Sequence, residues 1–184
     1  MLALTNFRGV LSQQKRIPAN AADQKNFFSH PFWKHFFWLM KCVPVKRNIK
    51  DLASLNEQVK VYQEVLKRHN LILFVEGTRS RNGKIGECRS GPAKLVILEY
   101  PGVQFVPVYL EGVEKIMPVK EGKIFTRLSL FHKARIVFGL PIDFSDVLNQ
   151  KDPEASKIQL IRNRIRAAIE QLSVVGSLSF PKLC

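Results

Sequence analysis

The sequence predicts an α/β fold, a single domain with a mixed, mostly parallel central sheet flanked by helices. Residues 71–75, Leu-Ile-Leu-Phe-Val, are an apolar run that suits a strand buried on both faces, and the run stops abruptly at Glu76-Gly77-Thr78-Arg79-Ser80. Ahead of it Leu52, Leu55, Val59, Tyr62 and Leu66 recur at helical spacing. Near the end Ile158, Ile161, Ile165, Ala168, Ile169 and Leu172 form a second amphipathic stripe. Strand and helix patterns that alternate in this way belong to layered α/β architectures.

Taken in order, residues 1–26 are a polar, irregular edge in which Pro18 and Asn20-Ala-Ala-Asp23 mark a loop or a weak helix. From Phe27 to Trp38 seven aromatics crowd into twelve residues, interleaved with His30, Lys34 and His35. Pro31 suits the first turn of a helix there. Its aromatics either pack on the sheet or sit partly in a lipid interface, where Trp and Lys are at home, and both can hold. Asn48 or Asp51 can cap the next helix, which runs to about His69. That helix joins a strand ending at Arg47 to the strand ending at Glu76, a βαβ unit with a right-handed crossover. A helix from Gly91 to about Tyr100 and a strand over 103–110 make a second such unit. Residues 111–133 are a basic excursion with Gly112, Pro118 and Gly122, a loop or hairpin near a substrate entrance. A last strand covers 134–138, and the final helix runs from Asp152, its cap, with Pro153 at its first position, to about Leu172. The organisation is therefore an edge at 1–26, a domain at 27–172 and an unpatterned tail at 173–184.

The junction after residue 75 carries the chemistry. Polar groups at the carboxyl end of a buried strand are where α/β proteins place ligands, although a solvated turn with a surface Glu–Arg pair would leave the same trace. A phosphate monoester needs planar, bidentate donors, which arginine supplies and lysine supplies only as a point charge. Arg79 and Arg47 are the candidates, expected to converge on one anion site at the ends of neighbouring strands. Gly77 lets the backbone approach a ligand and can take positive φ, and Thr78 offers a hydroxyl to a phosphate oxygen or to the turn. A carboxylate beside a phosphate site is repulsive unless it has another task, so Glu76 is expected to fix an arginine or a substrate hydroxyl.

These residues closely resemble the block Phe-Pro-Glu-Gly-Thr-Arg-Ser of the glycerol-phosphate and lysophospholipid acyltransferase family, with Val75 in place of the proline. The family's Phe-Lys-x-Gly has its counterpart in Cys88-Arg89-Ser90-Gly91, and its Val-Pro-Val in Val106-Pro107-Val108. Val43-Pro44-Val45-Lys46-Arg47 fits its upstream strand, and residues 135–142, with Gly139 and Pro141, its closing strand. The resemblance implies transfer of a fatty acyl group from acyl-CoA or acyl carrier protein to a lysophospholipid such as 1-acylglycerol-3-phosphate, with no metal and no cofactor beyond the acyl thioester donor. It implies a substrate site at Arg47, Glu76, Gly77, Thr78, Arg79, Ser80, Gly91 and Pro107.

The family's catalytic block is Asn-His-x4-Asp, whose histidine takes the proton of the acceptor hydroxyl while the aspartate orients the ring. None of the four histidines, His30, His35, His69 and His132, stands five residues before an aspartate. Counting the family's usual interval back from Glu76 lands at or just beyond Met1. The expectation is an acyltransferase domain whose N-terminal edge is cut, with the histidine and aspartate upstream and no catalytic residue identified within the chain. A non-catalytic lipid-phosphate binder is the alternative.

Composition narrows the partners. The 184 residues are 46% hydrophobic, a globular value, and no run approaches the ~18–20 apolar residues of a membrane span. There is no signal-peptide pattern. Cys42, Cys88 and Cys184 show neither metal spacing nor even pairing, which suits a reducing compartment. Lys and Arg number 29 against 15 Asp and Glu, a net charge of +14, so polyanions attract the chain. Nucleic acid would satisfy that charge, but no zinc spacing, aromatic-basic RNA-binding strand or helix-turn-helix pattern accompanies it. An anionic membrane surface, met peripherally on its cytoplasmic face, is the expected partner, and nucleic acid is not.

Overall fold

The computed structural model describes residues 18–28, 31–46, 49, 51–78, 80, 83–116 and 132–179. They fall into two units that divide between Phe74 and Val75. The first contains β1 (Ala19–Asp23), α1 (Gln24–Phe27), α2 (Pro31–Leu39), β2 (Cys42–Val45), α3 (Leu52–Leu66) and β3 (Leu71–Ile72). Its three strands are all parallel in the order β2-β1-β3, with Asn20 opposite both Cys42 and Ile72. The second unit contains α4 (Ser90–Glu99), β4 (Val108–Glu111), α5 (Val113–Ile116), β5 (Arg135–Phe138), α6 (Ser145–Leu148) and α7 (Glu154–Ser179). Its two strands pair antiparallel, Val108 with Phe138 through Glu111 with Arg135. The strands are thus mixed and mostly parallel, and the α/β class is the expected one.

Local chemistry accounts for the helices. Asp51 is the cap of α3, its carboxylate accepting the Ser54 amide at 2.7 Å, a bond that also lowers the Asp51 pKa. Val59 and Tyr62 on that helix are buried. Proline opens α2, where its missing N–H costs nothing. The last helix begins at Glu154, later than expected, because the Pro153 carbonyl already accepts the Lys157 amide at 3.2 Å. It continues to Ser179, past the expected end at Leu172.

Several strand expectations need correction. Asn20-Ala-Ala-Asp23 is neither loop nor weak helix but part of the central strand, because pairing on both edges overrides its weak intrinsic strand preference. The run at 71–75 gives only Leu71–Ile72 as strand, and Ile72 and Phe74 are exposed. With Ile72 in solvent, β3 is not buried on both faces. Strands β2 and β3 flank β1 and are not neighbours, so the expected adjacency of the Arg47 and Glu76 strands is absent, and Arg47 itself lies outside the described residues. Strand β4, expected as part of a second parallel unit, pairs antiparallel with β5. Residues 117–131, most of the basic excursion, lie outside the described residues.

The core of the second unit is what positions the site. Cys88, Ala93, Val96, Phe144, Val147, Ile161 and Ile165 pack as one cluster, with Ile158 and Ile169 continuing the α7 stripe beside it. The α4–α7 contact carries an ion pair, Lys94 Nζ to Glu154 Oε1 at 2.8 Å, with the lysine stem buried and the carboxylate at the surface. Ahead of α6, Asp143 Oδ1 accepts the Ser145 amide at 2.9 Å and the Tyr100 hydroxyl at 2.7 Å. Those bonds, the amide first, hold the Asp143 pKa down at about 2.

Candidate functional site

Residues 75–78 turn sharply as the second unit begins. Gly77 sits at φ +69°, a left-handed conformation that glycine adopts without strain. The turn is closed from the far side of the loop, where the Arg89 amide donates to the Val75 carbonyl at 2.7 Å. The Arg89 side chain then folds back over the turn. Its Nε donates to the Glu76 carbonyl at 3.2 Å, and a Cβ added at Gly77 would lie 3.4 Å from Arg89 Cγ.

An open cleft of about 220 Å³ lies here, lined by Glu76, Thr78, Gly86, Glu87, Cys88, Arg89 and Arg162. At Gly86 the loop passes close to the carboxylate, since a Cβ there would stand 2.7 Å from Glu76 Oε2. Arg162 reaches in from α7 and donates from Nε to the Cys88 carbonyl at 2.5 Å. The Cys88 thiol is buried, and burial pushes its pKa up, with Arg162 pulling the other way and Glu76 adding to the rise. The thiol therefore stays protonated at neutral pH and serves the core, not nucleophilic chemistry. With two carboxylates and two guanidinium groups around an open space, the cleft can orient a hydroxyl and hold a phosphate at once.

The structure brings some of the expected residues together and not others. Glu76 and Thr78 line the cleft, and Gly77 forms the turn between them. Ser80 is held in the following loop, its hydroxyl donating to the Lys84 carbonyl at 2.9 Å, and does not line the cleft. Gly91 is buried in the first turn of α4. Pro107 packs against the Gly139 position, where an added Cβ would be 2.8 Å from its Cγ, and its carbonyl accepts the Gly139 amide at 2.9 Å. Neither Gly91 nor Pro107 lines the cleft. Arg47 and Arg79, expected to converge, both lie outside the described residues. Sequence reasoning did not single out Gly86, Glu87, Arg89 or Arg162 as site residues. Only Arg89 left a signal, as the basic member of Cys88-Arg89-Ser90-Gly91.

The chain is similar to known proteins over its first part. A family model described as Acyltransferase matches residues 7–111. Two chloroplastic 1-acyl-sn-glycerol-3-phosphate acyltransferases, from Arabidopsis thaliana and Brassica napus, are each 37% identical over 81 residues. The match takes in 44% of this chain and spans only 22%, about a fifth, of the length of each relative. No solved structure gives a significant match.

Proposed function

This chain belongs to the acyltransferase family, and from that premise we propose that its cleft receives the phosphate of a lysophospholipid such as 1-acylglycerol-3-phosphate. The acceptor's free hydroxyl then takes a fatty acyl group from an acyl-CoA or acyl carrier protein thioester, in phospholipid biosynthesis. In that step the hydroxyl oxygen attacks the thioester carbonyl, a C–O bond forms as the C–S bond breaks, and the hydroxyl proton passes through a base to the departing thiolate. The observation that carries the reading is the meeting of the Glu76–Thr78 turn with two arginines in one open cleft. Glu76 is the group that orients the acceptor hydroxyls, and Arg89 grips the phosphate while braced on the Glu76 carbonyl. The two relatives are 1-acyl-sn-glycerol-3-phosphate acyltransferases, which supports the same choice of ligand.

Gly86→Ala tests this with little risk to the fold. The atoms nearest the added methyl are Oε2, Cδ and Cγ of the flexible Glu76 side chain, so the carboxylate must swing away while the backbone stays. Binding of sn-glycerol 3-phosphate, read by calorimetry, is expected to weaken roughly tenfold, with the melting temperature nearly unchanged. Unaltered binding in both Gly86→Ala and Glu76→Gln sinks the assignment.

We assign the partner surface to α2. Phe36, Trp38 and Leu39 are exposed there and Met40 just past its end, Trp38 to 75%, beside exposed Lys34 and His35. Among the described residues no helix is long and apolar enough to cross a membrane. An apolar face with basic neighbours on a chain of net charge +14 suits peripheral contact with an anionic bilayer. Trp38→Ala should lower binding to phosphatidylglycerol vesicles even at high salt, where the charge attraction is screened. If unmutated protein leaves the vesicles completely at high salt and instead shifts DNA or RNA at physiological salt, the surface reads nucleic acid.

A further inference from the structure

The cleft contains an arginine that no motif announces. Arg162 stands on α7, outside the residues that match the family model, and contacts a loop 74 positions earlier in the chain. Its three nitrogens are engaged unequally. Nε donates to the Cys88 carbonyl at 2.5 Å and Nη1 to Gln159 Oε1 at 2.9 Å, and together these fix the guanidinium plane against the loop and the helix. Among the described residues Nη2 has only a long contact, 3.5 Å to Glu87 Oε2. The Arg162 side chain is 24% exposed and that of Glu87 83% exposed. The carboxylate is therefore well hydrated, loosely held and easily exchanged. Arg89, which lines the same cleft, spends Nε on the Glu76 carbonyl, and among the described residues it has no carboxylate partner.

We propose that Arg162 donates directly to the bound anion, as the α7 half of a two-arginine clamp completed by Arg89. Glu87 occupies its Nη2 as a resident counter-ion until a phosphate monoester displaces it. This rests on the reading of the cleft as the acceptor's phosphate site. A monoester carries more than one negative charge near neutral pH and offers several acceptor oxygens, so it outcompetes a single exposed carboxylate for the same donor. Lysine cannot take over the role, because a point charge cannot bond the Cys88 carbonyl and the ligand in one fixed plane. The arrangement also raises a threshold against weaker anions. A ligand must hold Arg162 better than Glu87 does, which favours phosphate monoesters over carboxylates.

Calorimetric titration with sn-glycerol 3-phosphate, on the wild type, Glu87→Gln, Arg162→Gln, Arg162→Lys and the Glu87→Gln/Arg162→Gln pair, tests the clamp. Glu87→Gln, at an exposed position that does not endanger the fold, should tighten binding up to about fivefold. Arg162→Gln should weaken it roughly tenfold to a hundredfold, and Arg162→Lys should recover little of that. In the Arg162→Gln background Glu87→Gln should have no effect, a coupling that a merely bracing arginine would not produce. If the wild type binds but Glu87→Gln leaves affinity unchanged or lowers it, Arg162 only braces the loop and the clamp is wrong while the phosphate site stands. If the wild type does not bind glycerol 3-phosphate, the reading of the cleft falls and the clamp falls with it.

Discussion

Residues 1–184 are expected to bind a lysophosphatidic acid while turning it over about 10²–10⁴-fold more slowly than an acyltransferase with a positioned general base. Attack on a thioester by an alcohol needs a group to take the hydroxyl proton, and the family's usual choice is a histidine five residues ahead of an aspartate. No histidine in the chain has that neighbour. Within the second unit the one described histidine, His132, does not line the cleft. His35 is exposed on α2, His132 is exposed ahead of β5, and His69 lies just past α3 with its Nδ1 buried and unbonded. The measurement is a single-turnover transfer from oleoyl-CoA to lysophosphatidic acid, set beside equilibrium binding of the same acceptor. Binding with little turnover is the expected result. An ordinary enzymatic rate would mean that one of the four histidines is the base. His30→Ala and His35→Ala would then identify it, since both precede the Arg47 segment as the family histidine does.

The largest effect on stability is expected at Phe144. Its side chain is fully buried, and its ring meets Tyr100 and Phe105 edge-on, with both centroids at 6.0 Å. It also packs in the cluster that joins α4, α6 and α7. Phe144→Ala removes the ring and two aromatic contacts and leaves a cavity that rigid neighbours close only in part, a loss of about 3–5 kcal/mol. Urea denaturation followed by circular dichroism gives the number, and Phe144→Leu, which keeps most of the volume, should lose clearly less. A loss below about 1 kcal/mol for the alanine variant would show that the ring does not hold this core together.

The helices were readable because their signals are local. The stripe from Leu52 to Leu66 with its Asp51 cap, and the stripe from Ile158 to Ile169, lie within a few turns of chain and appear where expected. Strand β1 was not readable, because Ala19–Asp23 has no apolar alternation and becomes a strand only when β2 and β3 pair with both its edges. The failure at 71–75 has the opposite cause. An apolar run states what a segment prefers, and its place at a sheet edge left two of its residues as strand and put Phe74 in solvent. The site divides in the same way. Glu76, Gly77 and Thr78 were legible as a polar block at the end of an apolar run. Gly86 gains its meaning only when the loop passes the Glu76 carboxylate, and Arg162 only when α7 packs against Cys88.

Cys88 belongs to two neighbourhoods at once. It is buried with Ala93, Val96, Phe144 and Ile161, and its carbonyl is the anchor for Arg162 beside the cleft. The floor of the cleft is therefore the roof of the hydrophobic core. A lineage that drifts in the packing of α4 against α7 reshapes the cleft without changing the charged residues that line it. One that adapts to a new head group must retune the apolar layer beneath it. Laboratory evolution toward a different acceptor should accordingly diversify Ala93, Ile161 and Ile165 along with Glu76 and Arg89, since selection on the polar residues alone would leave the platform that aims them unchanged.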